Sequence, residues 1–173
     1  MNGGLLLIPF LGIRMILPSL LAKDALQRAA FFAPVQGKEK IAYWIYQLSN
    51  IEIFLSLFFL KIQTDISWLF YVGASAYLSG LVLCAISIVN FSHPDGAGMN
   101  KNGIYQYSRN PMYVAYFVCF MGMALLTRSK GLAVLVLIFQ VSAHWIILAE
   151  ERWCLQKFGE DYEQYRKTVR RYL

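Results

Sequence analysis

"PMYVAYFVCFMGMALLTRSKGLAVLVLIFQVSAHWIILAEE", residues 111–151, is two apolar runs separated only by Thr127-Arg-Ser-Lys-Gly131. A break that short joins two helices only as an antiparallel hairpin. Each run approaches the roughly 20 residues that cross about 30 Å of hydrocarbon. The hairpin returns the chain to the membrane face it left, so the segment before Pro111 must meet the segment after Ala149.

The rest of the chain agrees with a membrane reading. Of 173 residues, 58% are hydrophobic and 15% charged, and the mean hydropathy is +0.47, which excludes an ordinary soluble domain. Apolar runs at 4–22, 41–62 and 66–91 add to 111–127 and 130–149. The predicted fold class is therefore all-α: a single integral membrane helical bundle over 1–173, with about five transmembrane helices and a short C-terminal amphipathic helix. Pro9, Arg14 and Pro18 interrupt the first span, which is expected to kink or re-enter. No Lys or Arg precedes Arg14 and no small-residue cleavage site follows, which argues against a cleaved signal peptide.

Twelve cations lie in the loops after spans one and three and in the tail, against Lys61, Arg128 and Lys130 on the other side. That asymmetry predicts the N-terminus outside and the C-terminus and active site cytoplasmic. The net charge of +6 then reflects topology and contacts with anionic membrane lipids, and calls for no nucleic acid. Cys84, Cys119 and Cys154 are scattered apolar-helix residues without a CxxC, and His93 and His144 lack ligand spacing, so no metal site is expected.

The two segments that the hairpin brings together carry complementary chemistry. "GIYQYSRNPMY", residues 103–113, supplies Arg109 and the tyrosines Tyr105, Tyr107 and Tyr113. "AEERWCLQKFGEDYEQYRKTV", residues 149–169, supplies Glu150, Glu151, Tyr162 and Tyr165. Pro111 suits a first helical turn, and Asn110 before it is expected extended or as N-cap, leaving free N–H groups that favour an anion. Leu155, Phe158, Tyr162, Tyr165 and Val169 form one stripe that can lie on the membrane or close over the site, with Gly159 bending the helix. The acidic pair, placed at the end of span five, would oppose the helix dipole.

These motifs, G-x-Y-x-x-x-R-N-P-x-Y followed by E-E-x-x-x-L-x-x-F-G-x-x-Y-x-x-Y, resemble the C-terminal signature of the isoprenylcysteine carboxyl methyltransferase and phospholipid methyltransferase superfamily. The resemblance implies an integral membrane methyltransferase that uses S-adenosyl-L-methionine, with residues 90–173 as the cofactor-binding part. It also implies a lipid-like or small hydrophobic acceptor, such as a prenylcysteine carboxylate, a phospholipid amine or a thiol, arriving from the bilayer. Carried onto this chain, Gly103, Tyr105, Arg109, Asn110, Pro111, Tyr113, Glu150 and Glu151 stand in the motifs, with Asn110 and Glu150 as cofactor contacts. Arg109 and Glu150 are the candidate catalytic residues. The family's motif histidine is Asn110 here, its frequent loop histidine is Ala97, and the basic residue often found before the glutamates is Ile146. Asparagine keeps a donor and an acceptor but cannot shuttle a proton near neutral pH.

The loop "DGAGMNKNG" must fold back over the hairpin mouth, so the backbones of Gly98 and Gly103 are expected to approach the cofactor. An amine acceptor would need a base, for which His144 joins the two glutamates. Arg14 and Glu52, at matching depths in consecutive spans, are expected to pair, with contact to the acceptor as a second role for Glu52. Tyr107, Tyr116 and Trp153 read as interfacial belt residues. Two other classes stay open: a membrane sterol-reductase-like enzyme using a nicotinamide dinucleotide, and a non-enzymatic scaffold or transporter.

Overall fold

The computed structural model describes residues 1–172. Its helices are α1 (Gly3–Leu21), α2 (Ala25–Ala29), α3 (Glu39–Phe59), α4 (Trp68–Phe91), α5 (Pro111–Thr127), α6 (Lys130–Phe158) and α7 (Glu160–Thr168). Among the described residues no strand is formed, and the chain is a membrane helical bundle as composition predicts. By length and composition α1, α4 and α6 are each sufficient to cross a bilayer, while α5 is equally apolar but shorter. Helix α3 is 21 residues long and turns Trp44, Leu48, Ile51, Leu55 and Phe59 outward, the face expected to meet lipid.

Close packing is set by glycine. A β-carbon on Gly80 of α4 would lie 2.5 Å from the backbone nitrogen of Cys119, and one on Gly122 of α5 would lie 2.4 Å from that of Tyr77. Small residues therefore let the α4 and α5 backbones touch, the usual means of tight association where lipid removes the hydrophobic drive. Helix α3 packs on α6, and α1 closes the bundle through Phe10, which meets Phe54, Tyr116 and Phe120.

The α5–α6 hairpin forms as expected. Arg128 takes the left-handed conformation at φ 50°, and Ser129 Oγ accepts from Leu132 N at 3.1 Å to cap α6. Arg128 also pairs with Asp65 and donates to Ser67 Oγ at 2.6 Å, tying this turn to the α3–α4 connection.

Three expectations are corrected. Helix α1 runs continuously from Gly3 to Leu21 and does not turn back: Gly12–Ile16 widens into a π-helical turn and α-helix resumes at Leu17. Helix α6 does not stop at 149 but continues to Phe158, so Glu150 and Glu151 lie mid-helix and never meet the unfavourable end of its dipole. Finally, Arg14 and Glu52 do not pair. Glu52 is exposed on the outer face of α3, whereas Arg14 turns inward and donates to Ala29 O at 2.8 Å.

Candidate active site

At the hairpin mouth the chain encloses a cavity of about 460 Å³. The expected residues Gly98, Tyr105, Arg109, Asn110, Tyr113, Glu150 and Glu151 all line it. Gly103, Glu52 and His144 do not.

Pro111 occupies the first turn of α5 with Asn110 as its N-cap residue, at φ −131° and ψ 52°. The first-turn N–H groups of α5 have no partner within the helix, as at any helix start. Asn110 turns its amide to the tail instead of capping: Nδ2 donates to Arg171 O at 3.1 Å. Ser108 Oγ accepts from Asn110 N at 3.2 Å and fixes the bend.

The neighbouring glutamates are separated by the pitch of α6 into different environments. Glu151 is buried and held by two arginines. Arg109 Nη2 donates to Oε1 at 2.9 Å, while Arg171 reaches Oε1 through Nε at 3.0 Å and Oε2 through Nη2 at 2.9 Å. Arg109 also donates to Arg166 O at 2.7 Å, and its backbone N–H to Arg170 O at 2.9 Å. Both side chains of the Arg109–Glu151 pair are 7% exposed. This clamp ties the segment before α5, the middle of α6 and the C-terminal strap into one unit. Glu150, by contrast, receives one hydrogen bond, from Tyr113 Oη at 2.8 Å, and its carboxylate faces the cavity.

A roof covers the mouth. Tyr162 and Tyr165 of α7 pack with Met99 against Leu155, Phe158 and Val169, the stripe predicted from spacing, and Gly159 bends the chain at φ 57°. Tyr165 Oη donates to Tyr105 O at 2.6 Å. Burial pushes the hydroxyls of Tyr105, Tyr162 and Tyr165 well above the ordinary tyrosine range, so they remain neutral. The loop before Gly103 is organised by Asp95. Its Oδ1 accepts from Ala97 N at 3.1 Å and Met99 N at 2.8 Å, with Lys101 3.1 Å from Oδ2. The Met99 bond leads in holding the Asp95 carboxyl below its usual range. Gly98 makes this turn at φ 84° and faces the cavity.

Gly103 has a different role from the one expected. It sits at φ 50°, and a β-carbon there would lie 2.2 Å from Asn90 Oδ1. That oxygen accepts from Ile104 N at 2.9 Å, so the glycine lets the motif dock on the end of α4. His144 Nδ1 is 2.7 Å from Tyr172 Oη, outside the cavity. Tyr116 and Trp153, expected at the membrane interface, line the cavity, while Tyr107 is 74% exposed.

Sequence reasoning missed the other wall. Gln27 to Ala33 cover the cavity from the α1–α3 connection, and Tyr46 stacks on Phe139 beneath it with centroids 4.7 Å apart. Arg28 is held by Asp24 at 2.7 Å and donates to Phe91 O at 3.3 Å. Arg14 reaches the cavity from α1. No motif marks these residues; only three-dimensional contact identifies them.

The site is thus an amphipathic pocket in a helical bundle, lined by the Glu150 carboxylate and by aromatic side chains. The family model described as phospholipid methyltransferase matches residues 85–161. The chain is 30% identical over 145 residues to a protein-S-isoprenylcysteine O-methyltransferase of Schizosaccharomyces pombe, covering 78% of this chain and 59% of the relative. It is 28% identical over 138 residues to the Dictyostelium discoideum enzyme of that name, covering 70% and 56%. It is also 31% identical over 115 residues to steroid 5-alpha-reductase DET2 of Solanum lycopersicum, covering 62% and 44%. The chain thus spans less than two thirds of each of these relatives. No solved structure gives a significant match. The family match and the two methyltransferase relatives support a likeness to the isoprenylcysteine and phospholipid methyltransferase superfamily.

Proposed function

We propose that this protein is a membrane methyltransferase that uses S-adenosyl-L-methionine and acts on a lipid-like acceptor. The observation that carries the reading is the convergence of both motif halves on one cavity, with Glu150 facing it and Arg109 and Glu151 consumed in holding it together.

The residues present fit the donor. Glu150, anchored by Tyr113, can accept from an amino group or ribose hydroxyls. The start of α5 and the Gly98 turn offer backbone N–H groups to a carboxylate. Tyr105, Tyr162, Tyr165 and Trp153 offer faces to an adenine and a sulfonium. The bound donor supplies an electrophilic methyl group on sulfur. The protein's work is then alignment and exclusion of water: the roof of α7 and residues 27–33 close the cavity, and the clamp fixes the distance between motif halves. A carboxylate or thiolate acceptor needs no base, whereas an amine leaves a proton for which Glu150 is the nearest cavity-facing taker. The lysines and arginines gathered on the side of the clamp favour a cytoplasmic site with the N-terminus outside.

The similarity to a steroid reductase motivates one competing reading, in which the pocket takes a nicotinamide dinucleotide. Thermal stabilisation of the detergent-purified protein separates the two. S-adenosylhomocysteine should stabilise it and NADPH should not, and labelled methyl should pass to a prenylcysteine or phospholipid. Stabilisation by NADPH alone would shift the assignment to the reductase, and stabilisation by neither would remove both.

A further inference from the structure

Arg14 is the cavity residue that neither motif nor clamp explains. The π-helical turn Gly12–Ile16 carries it, and such turns relocate side chains at sites of function. Nη2 donates to Ala29 O at 2.8 Å. The guanidinium lies 5.7 Å from the centre of the Tyr116 ring. Nη1 is buried with no hydrogen-bond partner among the described residues.

The other cavity cations each have a charged or aromatic partner, although Nε of Arg28 and of Arg109 also lacks a hydrogen-bond acceptor. Arg28 is paired with Asp24, Arg109 with Glu151, and Lys157 lies 4.7 Å from the Trp153 ring at the rim. Among the described residues no carboxylate lies within ion-pair distance of Arg14. A guanidinium within a membrane span, with a free donor aimed among apolar and aromatic walls, is costly unless an anion completes it. Glu150 is engaged by Tyr113 from the opposite helices, so the cavity carries an acceptor on that side and, in Arg14, a cation with no carboxylate partner on the other.

We propose that Arg14 is the specificity-determining anchor of the acceptor, donating through Nη1 to an anionic oxygen on an amphiphile whose apolar part lies against Phe31, Phe32 and Met112. The assignment rests on the methyltransferase reading and narrows its acceptor to an anionic lipid-like molecule. That oxygen belongs either to a carboxylate or to a phosphate, and Arg14 recognises both by the same donation.

The test is binding, read by thermal shift and competition on the full chain in detergent. One arm compares an S-prenylated cysteine bearing a free carboxylate with its carboxamide, and the other compares phosphatidic acid with diacylglycerol. In one arm the wild type should prefer the anion at least tenfold, and the responding arm names the group. Arg14→Gln should reduce that anion to the affinity of its neutral counterpart while S-adenosylhomocysteine binds as in wild type, which also certifies the fold. Arg14→Lys should keep part of the preference. Equal wild-type binding of anion and neutral compound in both arms overturns the proposal whatever the variants do. So does full discrimination in Arg14→Gln, or a parallel loss of S-adenosylhomocysteine binding, which would assign Arg14 to the donor. Failure of the wild type to bind S-adenosylhomocysteine would instead sink the methyltransferase reading.

Discussion

Replacing Glu151 with alanine should dismantle the clamp, whereas the same change one residue earlier should not. Glu151 accepts three charged hydrogen bonds of 2.9–3.0 Å from Arg109 and Arg171. Its removal strands Arg109, whose side chain is 7% exposed and keeps only the Arg166 carbonyl. Breaking one member of a buried ion pair costs about 3–5 kcal/mol. Arg171 adds little, because its side chain is 32% exposed and water can take over. The thermal midpoint of Glu151→Ala, scanned at one rate in one detergent, should fall well below that of Glu150→Ala, and residues 160–172 should become sensitive to protease. Replacing Arg109 and Glu151 together with leucine should recover much of the loss, because no charge is then left buried. A wild-type midpoint with a protected C-terminal segment in Glu151→Ala would refute the clamp.

Glu150→Ala should leave the fold intact and weaken S-adenosylhomocysteine by about ten- to a hundredfold, the loss of a charged hydrogen bond of roughly 1.5–3 kcal/mol; isothermal titration reads this directly. Gly80→Leu should destabilise the protein by at least the roughly 1–3 kcal/mol of an overpacked core, measured as a lowered thermal midpoint, since its first added carbon meets the Cys119 backbone. Arg152 donates to both oxygens of Glu39 at 2.7 Å and, chiefly by that hydrogen bond, holds the carboxyl below its usual range. The stabilisation is complete above the unfolded-state pKa of about 4.3 and is lost as pH falls through the lower folded value. Glu39→Gln should therefore flatten that acid-side decline in midpoint between pH 6 and pH 3. His144→Phe should leave methyl transfer unchanged in a labelled-methyl assay, since the imidazole faces Tyr172 outside the cavity.

The hairpin was legible because a polar break of a few residues between long apolar runs has one geometric solution, and the convergence of 103–113 with 149–169 followed from it. The amphipathic stripe that runs from the end of α6 across α7 is legible from its 3–4 spacing. What escaped reading depended on where a side chain points. Adjacent glutamates look equivalent in sequence, yet the helix pitch aims Glu151 at two arginines and Glu150 at the cavity. Arg14 and Glu52 have matching depths, but depth carries no azimuth: one faces inward and the other outward. Gly103 was read as a close approach, which it is, with Asn90 rather than a ligand as the neighbour.

That last contact divides the labour of evolution in the molecule. The Asn90 carboxamide and Gly103 pin the chain at both ends of residues 91–102, so the motif from Ile104 onward takes its position from α4 and not from the loop itself. A side chain at position 103 would collide with the Asn90 carboxamide, and the span between the two is suspended like a hammock from two fixed posts. Asp95 and Met99 tie this span to its own turn and to the α7 roof, so changes at its other positions, Asn100 among them, are the ones that reshape the cavity edge without shifting the anchored motif that begins at Ile104.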